Sequence, residues 1–292
     1  MQRKILFIIN PTAGSGKALN TRVGIVDAMQ KSKLDYDIKV TDHPGHATKM
    51  AKEAPGKYDT VVAVGGDGTI KEVVKGLIST DVRLGIIAAG TGNDAVKSLQ
   101  IPKDFQAAIR KIIDGNDTKV DVGFAGDSIF LNVLSIGFDA EVVKYTDIIK
   151  KYISGKPAYY LGLIAAFTRY KMKSVRIKSK EGDFTGRVLL AAIGNGSYYG
   201  GGFRILPPAD MNDGLLDVVI GKKMSRLGIV SIFIELLRGM HLENKKKVIY
   251  YRTEKLCLIP ENNIELNIDG EITILKDPLE ISIKRDALKI LV

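Results

Sequence analysis

Cysteine is nearly absent from this chain of 292 residues: Cys257 is its one thiol, which excludes a disulfide framework and a cysteine-ligated metal centre. Its apolar, strand-like surroundings read as those of a small buried hydrophobe. No run of roughly 18 apolar residues occurs, so no spanning helix is expected. Met1-Gln-Arg-Lys followed by Ile5–Ile9 has the outline of a leader peptide, but the apolar stretch is short and ends in Asn10-Pro11 without a small-residue cleavage pattern. The expected location is therefore cytoplasmic. Histidine is scarce as well. His43 and His46 share a loop, and His241 lies too far along the chain to promise a transition-metal site with them. No Ser–His–Asp arrangement, internal repeat or low-complexity linker is present.

What is present is an ordinary globular composition with unevenly spread charge. Hydrophobic residues make up 45% and charged residues 26%, and a mass of 31.8 kDa predicts two domains. The formal net charge of +10 calls for an anionic partner. Between Lys144 and Lys180 the basic residues are Lys144, Lys150, Lys151, Lys156, Arg169, Lys171, Lys173, Arg176, Lys178 and Lys180, against Asp147 alone. No helix-turn-helix, zinc-finger or aromatic-interleaved pattern accompanies them, so nucleic acid is not the expected partner. A solvated surface would account for the charge. An anionic membrane face is the sharper alternative, each nearby Lys or Arg contributing on the order of 1 kcal/mol.

Strand and helix alternate through the first part. Lys4–Ile9, Tyr36–Thr41, Thr60–Val64 and Arg83–Ala88 read as short apolar strands, with helices over 17–32, His46–Glu53, Thr69–Ile78 and Phe105–Ile113. This predicts a doubly wound parallel α/β sheet, in which ligands bind beyond the carboxyl ends of strands. From about Lys119 the texture changes to period-two strands at Ile129–Val133, Val175–Ser179, Arg187–Ile193, Leu216–Ile220, Ile264–Ile268, Leu279–Lys284 and Leu288–Val292. Helices interrupt them around Ala140–Tyr152, Pro157–Tyr170 and Ser225–Met240. The expectation is an α/β nucleotide-binding domain over 1–120 and a β-rich, β-sandwich-like domain over 121–292. A short hinge near Thr118–Asp121 would join them, the last strands could pack back on the first domain, and nucleotide would lie in the cleft between the two.

Three glycine-rich turns follow predicted strand ends. Val61–Glu72 reads V-V-A-V-G-G-D-G-T-I-K-E: a buried strand, a turn at Gly65, Gly66, Asp67, Gly68 and Thr69, then an amphipathic helix. Glycines let backbone N–H groups approach a bulky anion, and a helix N-terminus turns its positive dipole end on the same anion. Asp67 would repel a phosphate unless a divalent cation or a proton lay between them, so the turn points to a nucleotide polyphosphate with its metal. Asn10-Pro-Thr-Ala-Gly14 is a second turn, able to donate N–H and hydroxyl hydrogen bonds. Gly14-Ser-Gly-Lys17 is no P-loop, because Pro11 stands where the pattern needs glycine and Ala18 where it needs Ser or Thr. The dinucleotide fingerprint lacks its third glycine. In the third turn, Gly90-Thr-Gly-Asn-Asp94, Asn93 or Asp94 as an N-cap leaves both glycines and Thr91 unexplained, which favours a phosphate- or adenosine-contacting loop.

The second half carries weaker signals. Asp210 and Asp213 with nearby backbone carbonyls suit Mg2+, although Asx-turns use the same residues. Asp269-Gly-Glu271 has the form of a hairpin turn, with two carboxylates able to serve a hydroxyl nucleophile as base. Gly194–Gly202 is too glycine-rich for regular structure and is expected to line the cleft. Gly228–Leu237 is either the wall of an apolar groove or core packing.

Asn10-Pro-Thr-Ala-Gly14, Gly65-Gly-Asp-Gly-Thr69, Gly90-Thr-Gly-Asn-Asp94, Asn212-Asp-Gly-Leu-Leu-Asp217 and Ile268-Asp-Gly-Glu271 stand in the order of the diacylglycerol kinase catalytic-domain family. Over essentially its whole length the chain resembles the soluble bacterial lipid kinases of that family, with sphingosine and ceramide kinases as relatives. NAD kinases share the G-G-D-G-T element; the last two motifs and Gly194–Gly202 tip the balance to lipid kinases. The resemblance implies ATP contacts at Asn10, Pro11, Thr12, Ala13, Gly14, Thr41, Gly65, Gly66, Asp67, Gly68, Thr69, Ile70, Lys71, Glu72, Thr91 and Asn93. It implies a structural Mg2+ on Asp213 and the backbone carbonyls of Asp210 and Leu215, and a catalytic Mg2+ near Asp67. The catalytic base falls on Asp269 or Glu271, with Asp269 the expected proton acceptor and Glu271 the alternative. The implied activity is transfer of the ATP γ-phosphate to the hydroxyl of diacylglycerol or a related lipid by a cytoplasmic protein peripheral at the inner membrane face. A homodimer is allowed. The rivals are an NAD kinase and a non-catalytic nucleotide- and membrane-binding protein.

Overall fold

Short apolar runs between polar helices form interior strands covered on both faces. The computed structural model describes residues 3–153 and 156–292. One unit comprises the chain up to Val122 with Met211–Asp213 and Lys284–Val292. It begins β1 (Lys4–Ile9), α1 (Lys17–Ser32), β2 (Asp35–Val40), α2 (His46–Lys52), β3 (Thr60–Gly65), α3 (Asp67–Leu77), β4 (Arg83–Ala88), α4 (Asp94–Ser98) and α5 (Phe105–Asp114). The strands pair in the order β2-β1-β3-β4, every neighbour parallel. Ile5–Ile9 and Val61–Val64 are completely buried, as interior parallel strands require. Asp104 caps α5 by accepting the Ala107 N–H at 2.9 Å, and Gly115 in the left-handed region ends it. The next element, β5 (Asp117–Ala125), corrects the expected hinge: Thr118–Asp121 is regular strand. Val120 and Val122 are buried, and the Asp121 carboxylate accepts the Asp286 N–H at 2.8 Å.

The other unit comprises Gly123–Asp210 and Gly214–Ile283. It contains β6 (Ser128–Phe130), β7 (Val133–Gly137), α6 (Phe138–Lys150), α7 (Lys156–Arg169), β8 (Lys173–Ser179), β9 (Gly182–Gly194), the short pair β10 (Tyr198–Tyr199) and β11 (Phe203–Arg204), β12 (Leu216–Lys222) and α8 (Arg226–Leu237). β13 (Val248–Thr253), β14 (Lys255–Pro260), β15 (Ile264–Ile268), β16 (Glu271–Leu275) and β17 (Leu279–Leu291) complete the chain. Pairing in this unit is antiparallel throughout, in the order β16-β15-β7-β9-β8-β14-β17, with β12 between β9 and β13. The long β9 serves β8 with its first half, and β7 and β12 with its second.

A parallel α/β half followed by a β-rich half is the expected fold class. Some details differ. The two strands expected at the C-terminus are one, β17, whose Lys289 and Ile290 pair in parallel with Arg83 and Leu84 of β4. Cys257 is only half-buried, because it alternates out of β14 between buried Leu256 and Leu258.

Candidate functional site

Within the first unit the ends of β1, β3 and β4 bring the three glycine-rich turns together. A Cβ on Gly90 would come within 2.5 Å of Gly66 Cα, and one on Gly14, at φ +61°, within 2.0 Å of the Ala89 carbonyl oxygen. Backbone packs on backbone where a side chain would force the turns apart. Asn10 links two of them: its Nδ2 donates to Thr69 Oγ1 at 3.0 Å, and its Oδ1 accepts from the Thr12 N–H at 3.1 Å and hydroxyl at 2.9 Å. α3 starts at Asp67, earlier than the expected Thr69, and its N-cap Gly66 supplies no side chain. Its first-turn N–H groups are thus left without a side-chain cap, the arrangement that receives an anion. Asp67 Oδ1 accepts the Ala95 N–H at 3.2 Å and so ties α3 to α4, yet burial holds the carboxyl above its ordinary range.

Asn10, Pro11, Thr12, Thr41, Thr69 and Glu72 line one cleft of about 620 Å³, its open mouth included. Glu72 has a second task there, because its Oε1 accepts from the Gly45 N–H at 3.0 Å and its Oε2 from the Ala47 N–H at 3.1 Å, fixing the start of α2. Other expected contacts are placed differently. The Ile70 side chain is completely buried, Ala13 packs on the core, and Lys71 is half-buried. Thr91 is exposed on the β4–α4 turn, with Gly68 exposed in the first turn of α3. Asn93 holds the N-cap position of α4 but makes no side-chain cap. Its Nδ2 donates to Gly90 O at 2.9 Å, and its Oδ1 is buried with no hydrogen-bond partner among the described residues. Asp94 pairs with Lys97 at 2.8 Å.

One grouping was missed by counting histidines alone. Asp42 Oδ1 lies 3.0 Å from His43 Nδ1 and 2.5 Å from His46 Nδ1, and the potential ligand atoms of the three fall within 4.8 Å of one another. The D-H-x-x-H spacing was the available signal.

In the second unit Asp269, at φ +50°, turns its carboxylate onto the corner before β7. Oδ2 accepts the Leu131 N–H at 2.7 Å, and Oδ1 accepts those of Asn132 at 3.1 Å and Val133 at 2.9 Å. These three bonds give Asp269 a structural role as a clamp on that corner, whichever carboxylate of the turn takes a proton. The same corner fixes the glycine-rich segment, since Asn132 O accepts the N–H groups of Asn195 and Gly196, both at 2.9 Å. Glu271, by contrast, is exposed at the start of β16. On the preceding turn Asp210 is exposed, while Asp213 and Leu215 are half-buried. Asp210 adds to the burial that pushes the Asp217 carboxyl up to about 6, although the Tyr250 hydroxyl donates to it at 2.5 Å.

The second unit also holds an apolar pocket of about 890 Å³, its open mouth included, walled by Tyr159 and Leu163 of α7, by Ile229, Ile232, Phe233 and Leu236 of α8, and by Tyr199 and Gly200 of the glycine-rich segment. Gly228–Leu237 does both: no α8 residue is fully buried, yet Ile232 and Leu236 pack against a core cluster while walling the pocket. Asp139 and Asn267 give the pocket a polar spot. Asp139 Oδ2 accepts from Asn267 Nδ2 at 3.1 Å and from the Ser135 hydroxyl, Oδ1 has no hydrogen-bond partner among the described residues, and burial raises the carboxyl. No local pattern announced this pair.

The basic segment proves partly neutralised by acids distant in sequence. Glu265 receives Lys144 at 3.0 Å and Lys173 at 3.2 Å; burial would raise its carboxyl, but the two lysines hold it at about 2. Lys150 meets Asp147 at 3.3 Å and Arg176 meets Asp183 at 3.7 Å. Lys151, Lys171, Lys178 and Lys180 are exposed, and the Lys156 side chain lies outside the described residues.

Residues 4–125 match the family model for the diacylglycerol kinase catalytic domain, and residues 132–292 that for the YegS C-terminal NAD kinase beta sandwich-like domain. A Staphylococcus epidermidis diacylglycerol kinase is 35% identical over 277 residues, covering 93% of this chain and 86% of the relative. The chain belongs to the diacylglycerol kinase family. A Staphylococcus saprophyticus diacylglycerol kinase is 30% identical over 274 residues, covering 93% of this chain and 90% of the relative. Among solved structures, a Bacillus anthracis str. Sterne protein assigned to the diacylglycerol kinases superposes with a TM-score of 0.84 at 29% identity, over 99% of this chain and 95% of that one. The diacylglycerol kinase relatives make this a kinase. No helix among the described residues is long and apolar enough to cross a membrane.

Proposed function

We propose that this kinase transfers the γ-phosphoryl group of ATP to the free hydroxyl of diacylglycerol or a related neutral lipid. The observation that carries the lipid half is the apolar pocket of about 890 Å³ in a chain that also bears the glycine-turn set. NAD, polar along its length, has no use for walls of Ile, Leu, Phe and Tyr; acyl chains do. The nucleotide falls to the first unit. Asn10–Gly14, Thr41, Gly65–Glu72, Thr91 and Asn93 are the contact set, with the uncapped start of α3 for phosphate and the unpartnered Asn93 Oδ1 as a hydrogen-bond acceptor. Asp67, at the start of α3 beside the glycine turns, is the residue for a divalent cation, which when bound would supply the positive charge that neutralises the polyphosphate. Asp210, Asp213 and Leu215 are the set for a structural Mg2+.

Glu271 is the base. It takes the proton of the lipid hydroxyl as the oxygen bonds to phosphorus, the bond to the β-phosphate oxygen breaks, and ADP leaves. Asp269 supports it by holding the strand corner and its own turn in place. The protein works at an anionic membrane surface, where its acceptor resides. Labelled ATP with mixed micelles of diacylglycerol, phosphatidylglycerol or a sphingoid base tests the reading. Labelled phosphatidic acid is expected. Label on NAD with none on any lipid would overturn it, and ATP binding without turnover would favour the non-catalytic alternative.

A further inference from the structure

Arg226–Leu237 is apolar almost all round, begins with Ser225 accepting the Gly228 N–H at 3.2 Å, and yet has no buried residue. An all-round apolar helix of a soluble protein is normally buried. Its inner face walls the pocket through Ile232, Phe233 and Leu236. Its outer face is a stripe at i, i+3, i+7 and i+10: Leu227, Val230, Ile234 and Leu237, exposed by 83%, 45%, 44% and 62%. The neighbouring α7 repeats the arrangement, with Tyr159 and Leu163 on the pocket and Tyr160 and Ile164 exposed. The Arg226 guanidinium donates to Thr168 O at 3.1 Å, joining the start of α8 to the end of α7.

Charge selects the occupant of this face. Arg226 and Arg238 stand exposed at the two ends of α8, Lys223 is exposed just before it in the chain, and Lys171 is exposed just after the end of α7. The one carboxylate on α8, Glu235, turns inward to Asn244 Nδ2 at 3.0 Å and Lys247 Nζ at 3.8 Å. The outer face is thus apolar with a basic rim and no acid. A second copy would meet like charges, and a three-turn helix pair buries well under the ~1,200 Å² of a stable interface. Anionic headgroups over hydrocarbon match both features.

We propose that α8 is an interfacial helix: its outer stripe lies in the headgroup–acyl boundary of an anionic bilayer while its inner face walls the apolar pocket, which takes its lipid directly from that bilayer. This rests on the lipid-kinase reading for the identity of the cargo, but the insertion itself does not.

The chain contains no tryptophan, so Leu227→Trp is a single reporter. With phosphatidylglycerol–phosphatidylcholine vesicles its emission should shift to the blue and be quenched by lipids brominated on the acyl chain, and both effects should persist in high salt. Leu227→Ser with Leu237→Ser should weaken vesicle binding by roughly tenfold or more, while phosphorylation of a short-chain, water-soluble diacylglycerol stays unchanged. Emission that stays water-like on vesicles overturns the proposal, as does a blue shift that instead follows protein concentration without lipid, the mark of a second copy on this face. Insertion without phosphorylation of any lipid would remove the enzymatic reading and leave the interfacial helix standing.

Discussion

The polar cleft of the first unit and the apolar pocket of the second are built by opposite means. The cleft is made of backbone and short side chains on turns that follow consecutive strands, so each part of it is a contiguous string of residues. The pocket is made of single side chains from α6, α7, α8, β9, β12 and β13, separated by more than a hundred positions. A site for an anion can be assembled from N–H groups and glycines, whose positions are set by local turn geometry. A site for acyl chains needs only apolar area of the right shape, which many residue choices supply.

The sharpest way to test this division is at the Asp269-Gly-Glu271 turn, where two adjacent carboxylates have different tasks. Glu271→Gln should lower kcat by about 10²- to 10⁴-fold with the melting temperature unchanged, the effect of losing a general base. Asp269→Ala should cost both together, because it strands the N–H groups of Leu131, Asn132 and Val133, at ~1–3 kcal/mol for each one left buried and unpaired. A stable Asp269→Ala variant without turnover, beside an active Glu271→Gln, would return the proton to Asp269.

Next in size is a pH effect confined to the second unit. Burial pushes the Asp217 carboxyl up to about 6, above its unfolded value, so the folded state holds the proton more tightly than the unfolded one. The resulting stability is present below the unfolded value near pH 4 and is lost as pH rises to about 6 and beyond. Asp217→Asn should remove that slope, a difference on the order of 2–3 kcal/mol between pH 4 and 7 in urea titrations of the two proteins. Parallel curves would mean that Arg252, 3.7 Å from Asp217, keeps the carboxylate charged after all. A smaller effect is expected from filling the pocket. Leu163→Trp should raise KM for long-chain acceptors by roughly tenfold and leave ATP affinity alone, since the two sites share no residue. Loss of ATP affinity would break the division.

Legibility followed the same line. β1, β3 and β4 were readable to within a residue because interior parallel strands carry short, largely apolar runs with turn residues at their ends, and β15 because its apolar residues alternate strictly. The glycine turns were readable for the same local reason. Glu72 looked like a nucleotide contact and proved also to cap α2, because the N–H groups it accepts belong to another helix. The clamp role of Asp269 was not legible because its partners lie more than 130 positions away. The Thr118–Asp121 hinge was a misreading of strand as linker, and β13 went unread because tyrosine and arginine break its alternation.

The smallest predicted effect concerns the lysines of the 144–180 segment, which the sequence had treated as one patch. Lys151 and Lys171 are exposed, whereas Lys150 pairs with Asp147 and Lys173 with Glu265. Replacing Lys151 or Lys171 by Gln should weaken binding to anionic vesicles by about fivefold each at low salt, the worth of ~1 kcal/mol per cation near the surface. Salt should erase that loss, since screening acts over about 8 Å at physiological strength. Lys173→Gln should leave vesicle binding nearly untouched and lower stability instead. Glu265 is held down at about 2, so its pairing stabilises the fold above the unfolded value near pH 4.5 and ceases to do so as pH falls toward 2. The Lys173→Gln deficit should therefore be largest at neutral pH and shrink in acid. If Lys173→Gln and Lys171→Gln instead weakened vesicle binding equally, the partnership with Glu265 would be too loose to matter, and the segment would act as a single cationic surface.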